Sequence, residues 1–182
     1  TGTMRFVTDV GIGGSLWRYN GTYWVPAGGS VDLCAWSGAV TTSETYNLDC
    51  VMPAGLWRNG GVIEAPIHIR QVGTTNQCVA WIRSGTAGTT SDTALTTVDY
   101  LQAEAREEFR DTLRFKRVSN VSVRILNYGD AYNRDGISSD APMSDVTVSS
   151  LDGATHFGLA TQANGATDAC SIEEFRVIYK AY

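Results

Sequence analysis

Apolar and polar residues alternate along much of the chain. An apolar side chain recurs at every second position in several separate runs, and polar residues fill the positions between. The runs are 46–52, 67–70, 113–116, 121–125, 156–159 and 174–180. This period is typical of a β-strand with one face in a core and the other in water. The run 79–82 is apolar at every position, which predicts a central strand.

Turn-forming residues separate these runs. The chain contains 19 glycines, and Gly, Asn, Pro and Thr cluster at 53–55, 58–61, 73–76 and 85–88. Many short strands joined by glycine-rich turns are typical of a sandwich or a barrel. The sequence therefore predicts an all-β, antiparallel β-sandwich over residues 30–182.

Residues 1–29 are predicted to form a separate N-terminal hairpin module. Asn20-Gly21 lies between aromatic-rich flanks, which is a strong signal for a two-residue type I′ turn. In that register Tyr19 and Thr22 flank the turn, and Trp17 lies near Trp24 across the ladder. A hairpin alone is marginally stable, so we expect this one to lean on another part of the molecule.

One short helix is predicted near residues 98–111. Leu101, Ala105, Phe109 and Leu113 recur at every fourth position, with good helix formers between them. A strand-like pattern follows directly at 112–118, so the helix competes with an extended conformation.

Charge and cysteine spacing exclude several classes of protein. A net charge of −5 offers no basic patch for nucleic acid, and no apolar run is long enough to insert into a membrane as a helix. The cysteines at 34, 50, 78 and 170 match no zinc or redox motif. The four cysteines could form two disulfide bonds in any of three pairings, but we expect four reduced, half-buried thiols. No cofactor is expected.

Three stretches carry a resemblance to a known family. They are TMRFVTDVGIGGSLWRYNGTYWVPAGGSV, then CVMPAGLWRNGGVIEAPIHIRQVGTT with GTAGTTSDTAL, and finally LATQANGATDACSIEEFRVIYKAY. Together they resemble the C-terminal receptor-binding domains of bacteriophage tail fibres and tailspikes. The chain departs from the family pattern at Asn59-Gly60-Gly61 and at 168–171. The resemblance implies a jelly-roll-like sandwich at the tip of a virion tail fibre, carried as a homotrimer on an upstream fibre shaft.

Candidate binding residues follow from the chemistry of sugars. Flat aromatic side chains stack on the C–H faces of sugars, and Asn, Asp and Arg fix their hydroxyls. The long polar loop 127–140 supplies Tyr128, Tyr132, Asn133, Arg134 and Asp135, and the turn at 53–61 supplies Trp57. A loop on a rigid sandwich is a usual place for recognition. Residues 130–136 are acidic but miss the EF-hand ligand positions, and whether they hold another kind of metal site is open.

Catalysis is not expected. There is no Gly-x-Ser-x-Gly motif, and His68 and His156 both fall at outward strand positions. Asp130, Asp135 and Asp140 are the best candidates for a glycosidase carboxylate pair, but nothing in their spacing singles them out. The sequence thus favours adhesion to a host surface receptor, most simply a glycan. The alternatives are a purely structural trimerisation or virion-assembly domain, and a secreted carbohydrate-binding module.

Overall fold

A computed structural model describes residues 4–7, 15–19, 24–72, 78–100, 106–126, 144–163 and 169–181. These residues form strands and turns, with no helix and so no helical segment that could cross a membrane. The strands are β1 Met4–Val7, β2 Ser15–Tyr19, β3 Trp24–Pro26, β4 Ser30–Ala39, β5 Thr45–Met52, β6 Val62–Val72, β7 Cys78–Gly85, β8 Thr93–Tyr100, β9 Arg106–Ser119, β10 Ser122–Ile125, β11 Asp145–Thr147, β12 Thr155–Ala163 and β13 Ala169–Lys180.

The strands form three antiparallel sheets. The orders are β1-β2-β3, β11-β10-β9-β6-β13-β4 and β5-β12-β7-β8. This confirms the predicted all-β, antiparallel class and the central position of the run 79–82, which lies in β7 between β12 and β8. The jelly-roll strand order implied by the resemblance stays a prediction.

One apolar core joins the two larger sheets. Phe115 and Phe175 come from the six-stranded sheet and Phe157 from the four-stranded sheet, and all three are fully buried. The rings of Phe115 and Phe157 meet edge to face at 5.4 Å between centroids. The alternation read from the sequence places these side chains inward, because successive strand residues point to opposite faces.

The predicted helix at 98–111 is wrong. Strand β8 continues to Tyr100, and β9 begins at Arg106 and pairs with β6 over eleven successive residues. Residues 101–105 lie outside the described part. The spacing misled because a four-residue repeat is also a multiple of two. Phe109 and Leu113 therefore share the inner face of a strand just as they would share one side of a helix.

The expectation of four free thiols is also wrong. Cys34 is bonded to Cys50, and Cys78 to Cys170, and no cysteine is free. Each bond joins a strand of the six-stranded sheet to one of the four-stranded sheet. The pairing depends on how the sheets face each other, so the sequence separations of 16 and 92 residues carried no motif that could reveal it.

The N-terminal hairpin forms, but in a different register. Strands β2 and β3 are antiparallel, and Tyr19 pairs with Trp24, not with Thr22. Residues 20–23, which include the predicted Asn-Gly turn, lie outside the described part. Trp17 is 4% exposed and belongs to the main core, so the small sheet packs against the rest of the protein, as expected.

Candidate functional site

Most of the sequence-predicted binding residues cannot be placed. Tyr128, Tyr132, Asn133, Arg134 and Asp135 lie outside the described residues, as does the acidic stretch 130–136. The remaining candidate, Trp57, is described, and the expectation that it is exposed is wrong.

Trp57 is 1% exposed and points into the core. Its indole Nε1 donates a hydrogen bond to the Gly61 carbonyl at 3.0 Å, and its ring meets Phe157 edge to face. A buried indole needs such a partner for its N–H. Trp57 therefore holds the turn 53–61 in place and offers no ring face to a ligand.

A buried arginine ties this turn to two neighbouring loops. Arg117, 7% exposed at its side chain, donates to the carbonyl oxygens of Trp57, Leu151 and Ser119. It also pairs with the Asp152 carboxylate at 2.5 Å. A cation is buried at low cost only when its N–H groups are satisfied, and here three carbonyls and a carboxylate do so. The loops at this end of the sandwich are thus locked together.

The best candidate site lies on the outer face of the four-stranded sheet. Buried and half-buried residues alternate along β7, and Trp81 and Arg83 fall on the side away from the core. Through the ladder, Trp81 is level with Ala160 and Arg83 with Gly158. We call the side chains gathered here the Arg83 patch, which comprises Glu44, Tyr46, Asp49, Trp81, Arg83, Asp92 and His156.

Arg83 lies at the centre of this patch. Its Nη1 donates to the Asp92 carbonyl at 2.8 Å, and its Nη2 pairs with Glu44 Oε1 at 2.8 Å. The guanidinium lies 5.7 Å from the centroid of the Trp81 ring, within cation–π range. Trp81 lies on the outer face of the sheet together with Arg83, because residues 81 and 83 share one side of the strand.

The loop between β7 and β8 folds over one margin of the patch. The Asp92 carboxylate accepts hydrogen bonds from the backbone N–H groups of Ala87 at 3.1 Å and Gly88 at 2.8 Å. Gly88 has a φ of +65°, and a Cβ there would lie 2.6 Å from His156 Nδ1. His156 in turn is 2.7 Å from Asp49 Oδ1. The close packing explains why this loop needs Gly88 at its tip and an acidic residue at its end.

Two polar atoms in the patch have no hydrogen-bond partner among the described residues. They are the Tyr46 hydroxyl and Arg83 Nε, and both are buried. Burial, followed by the nearby Asp49 and Asp92 carboxylates, raises the pKa of Tyr46 far above its ordinary value. Such a phenol stays protonated and can donate. Unsatisfied buried groups are uncommon in native folds, so these two mark a place where a ligand or water belongs.

A depression lies on the outer face of the six-stranded sheet. Pro66 sits in β6, a central strand, where it lacks the N–H that a ladder needs. A depression of about 290 Å³ opens beside it, lined in part by His68, Arg110 and Glu174. His68 Nε2 is 3.3 Å from Glu108 Oε2. Among the described residues, the lining includes no Trp, Tyr or Phe side chain, so it suits a sugar less well than the Arg83 patch.

No catalytic arrangement stands out in the described part of the chain. The Arg83 patch holds carboxylates, a histidine and a phenol, but no serine or cysteine nucleophile has been brought to the His156–Asp49 pair. Within those same residues, no group of three metal-ligating side chains occurs.

Comparison with known proteins leaves the chain without an assigned family. No protein-family model matches it, and no curated protein matches it. The resemblance to phage tail fibres therefore remains a prediction.

Sequence reasoning missed the Arg83 patch as a unit. Its members come from 44–49, 81–92 and 156, and only the strand register brings them together. One signal was present in the sequence: Trp81 and Arg83 are two residues apart in a predicted strand and so share a face.

Proposed function

We propose that this protein is an adhesive tip domain of a phage tail fibre or tailspike, and that it binds a host-surface glycan through the Arg83 patch. The observation that carries the proposal is the combination in one place of an aromatic ring, exposed carboxylates and buried polar atoms without partners. In this proposal the domain is a homotrimer on an upstream shaft, and its work is binding and not bond cleavage.

The patch has the groups that a sugar requires. Trp81 is half-buried and supplies a flat apolar surface for C–H groups. The carboxylates of Glu44 and Asp49, 33% and 38% exposed, can accept hydrogen bonds from hydroxyls. In our proposal, binding is accompanied by side-chain shifts that let the buried Tyr46 hydroxyl and Arg83 Nε donate to ring or hydroxyl oxygens.

The supporting strands are rigid, which lowers the entropic cost of binding. Trp81 and Arg83 lie on β7 and His156 on β12, and both strands have a neighbour on each side. Side chains held in place before binding lose little freedom when the ligand arrives. Even so, one shallow sugar contact is weak, and three linked copies would raise the avidity by roughly 10²–10⁴.

The small N-terminal sheet supports the homotrimer. Met4 and Leu16 share the face opposite to Trp17, and they are 50% and 45% exposed. A contiguous exposed apolar patch can mark a subunit interface, and in our proposal another protomer covers this face. Native mass spectrometry tests this directly, and a monomer would contradict it.

A glycan array tests the proposed function. We expect the wild-type protein to bind at least one bacterial surface glycan, and Trp81→Ala to lose that binding while it remains folded. Tyr19→Ala is the matched control, because Tyr19 is an aromatic residue, 38% exposed, in the N-terminal sheet away from the patch. Equal binding by wild type and Trp81→Ala would refute the assignment of the site.

The disulfide bonds also favour a second candidate, a secreted carbohydrate-binding module. Disulfides form and persist outside reducing cell interiors, on secreted proteins and on virion surfaces alike. The two bonds thus support an extracellular working place in either case. The native mass separates the candidates, since a lone binding module is expected to be a monomer.

A further inference from the structure

The two disulfide bonds occupy different positions in the sheets. Cys34 lies on β4 and Cys50 on β5, and these are edge strands of the six-stranded and four-stranded sheets. Cys78 lies on β7 and Cys170 on β13, and each of these strands has a neighbour on both sides. One bond therefore closes an open side of the sandwich, and the other links two interior strands.

The cysteines also differ in burial. Cys50, Cys78 and Cys170 are 3%, 2% and 5% exposed. Cys34 is half-buried, so it is the most exposed of the four cysteines. Thiol–disulfide exchange requires an external thiolate to reach a sulfur atom, so accessibility sets where it can begin.

We propose that Cys34 is a site of thiol–disulfide exchange with small external thiols of the glutathione class, and that Cys78–Cys170 is a structural bond protected by the fold. An external thiolate attacks Sγ of Cys34, forms a mixed disulfide there and releases Cys50 as a thiolate, which takes a proton. A second external thiolate attacks the mixed disulfide, releases the Cys34 thiolate and forms the external disulfide. The two external thiols supply the two electrons, and the protein ends with two thiols.

We expect the protein to stay folded when the Cys34–Cys50 bond is reduced. Among the buried residues of the shared core, β4 and β5 supply Val31, Cys50 and Met52, while the other strands and turns supply the rest, and Cys78–Cys170 still joins the two sheets. The same steps run backwards when an oxidised small disulfide is in excess. The edge bond can therefore close after folding, once the protein leaves a reducing environment.

The test is the order of reduction in the folded protein. The full chain is incubated with reduced glutathione without denaturant, quenched with an alkylating reagent and mapped by mass spectrometry. We expect Cys34–Cys50 to open first, with Cys78–Cys170 at least about tenfold slower, since exchange at a buried bond waits for local unfolding. We expect the trapped mixed disulfide on Cys34. A low, sub-denaturing urea concentration should accelerate only the slower bond.

Matched variants keep the two bonds separate. Cys78→Ser with Cys170→Ser should leave the fast reaction unchanged, and Cys34→Ser with Cys50→Ser should leave only the slow one. Opening of both bonds at the same rate, opening of Cys78–Cys170 first, or glutathione trapped on Cys50 would each overturn the proposal. These outcomes do not depend on whether the protein binds a glycan.

Discussion

Replacement of Arg117 by methionine should destabilise the domain strongly. The change removes the donors to three carbonyl oxygens, and those of Trp57 and Leu151 are buried. Each buried acceptor left without a partner costs about 1–3 kcal/mol. Loss of the buried cation itself recovers part of this, because its own desolvation penalty disappears. The net loss in the free energy of unfolding should be about 3 kcal/mol.

Urea unfolding measures this loss, provided that the slope of the free energy of unfolding against urea concentration is the same for wild type and variant. Arg110→Met is the matched control, because the Arg110 side chain is 69% exposed and its guanidinium forms an ion pair with Glu108, which is also exposed. It should change the stability by less than about 0.5 kcal/mol. Asp152→Asn should also be mild, since Asp152 is 62% exposed. A loss below about 1 kcal/mol for Arg117→Met would refute the argument that the buried carbonyls depend on it.

Three further predictions concern the disulfides and the patch. Removal of the Cys78–Cys170 bond, which spans 92 residues, should lower the free energy of unfolding by about 4–5 kcal/mol, and removal of Cys34–Cys50, which spans 16, by about 3 kcal/mol. Chemical denaturation measures both losses, and the reverse order would contradict the chain-entropy account. Gly158→Ala should lower the free energy of unfolding by about 2–3 kcal/mol, because the new Cβ would lie 2.1 Å from the Tyr46 hydroxyl and 2.4 Å from the Leu48 carbonyl. Tyr46→Ala added to Gly158→Ala should restore only part of this stability, since the Leu48 carbonyl remains. Because the pKa of Tyr46 is raised in the folded protein, its contribution to the stability of the fold is fully present below about pH 10, the pKa of an unfolded tyrosine. This contribution is lost as the pH rises above that value. Urea midpoints between about pH 8 and 11 should therefore fall more steeply for wild type than for Tyr46→Phe, and parallel curves would count against the raised pKa.

The period of the hydrophobic pattern was sufficient to predict the strands. Side chains such as Phe115 and Phe157 alternate with polar ones, and burial of one face follows directly from that alternation. The pattern failed at 98–111 because a spacing of four fits a strand as well as a helix. It failed at Trp57 for another reason: a turn context suggests exposure, but Arg117 and the Gly61 carbonyl draw this turn onto the core.

The candidate site depended on contacts between distant segments. Arg83 meets Glu44 across 39 residues, and His156 meets Asp49 across 107. No local motif encodes these distances, and the same holds for both disulfide bonds. Strand register, which follows from how the sheets pair and face each other, supplies what the sequence pattern lacks.

The most direct test of the central claim measures binding and cleavage in one sample. The native protein is incubated with a purified surface polysaccharide chosen from the array, and both its retention on the polysaccharide and the polysaccharide's mass distribution are followed. We predict retention that depends on Trp81, with the mass distribution unchanged over time. Shortened polysaccharide chains, or retention equal in wild type and Trp81→Ala, would contradict the account.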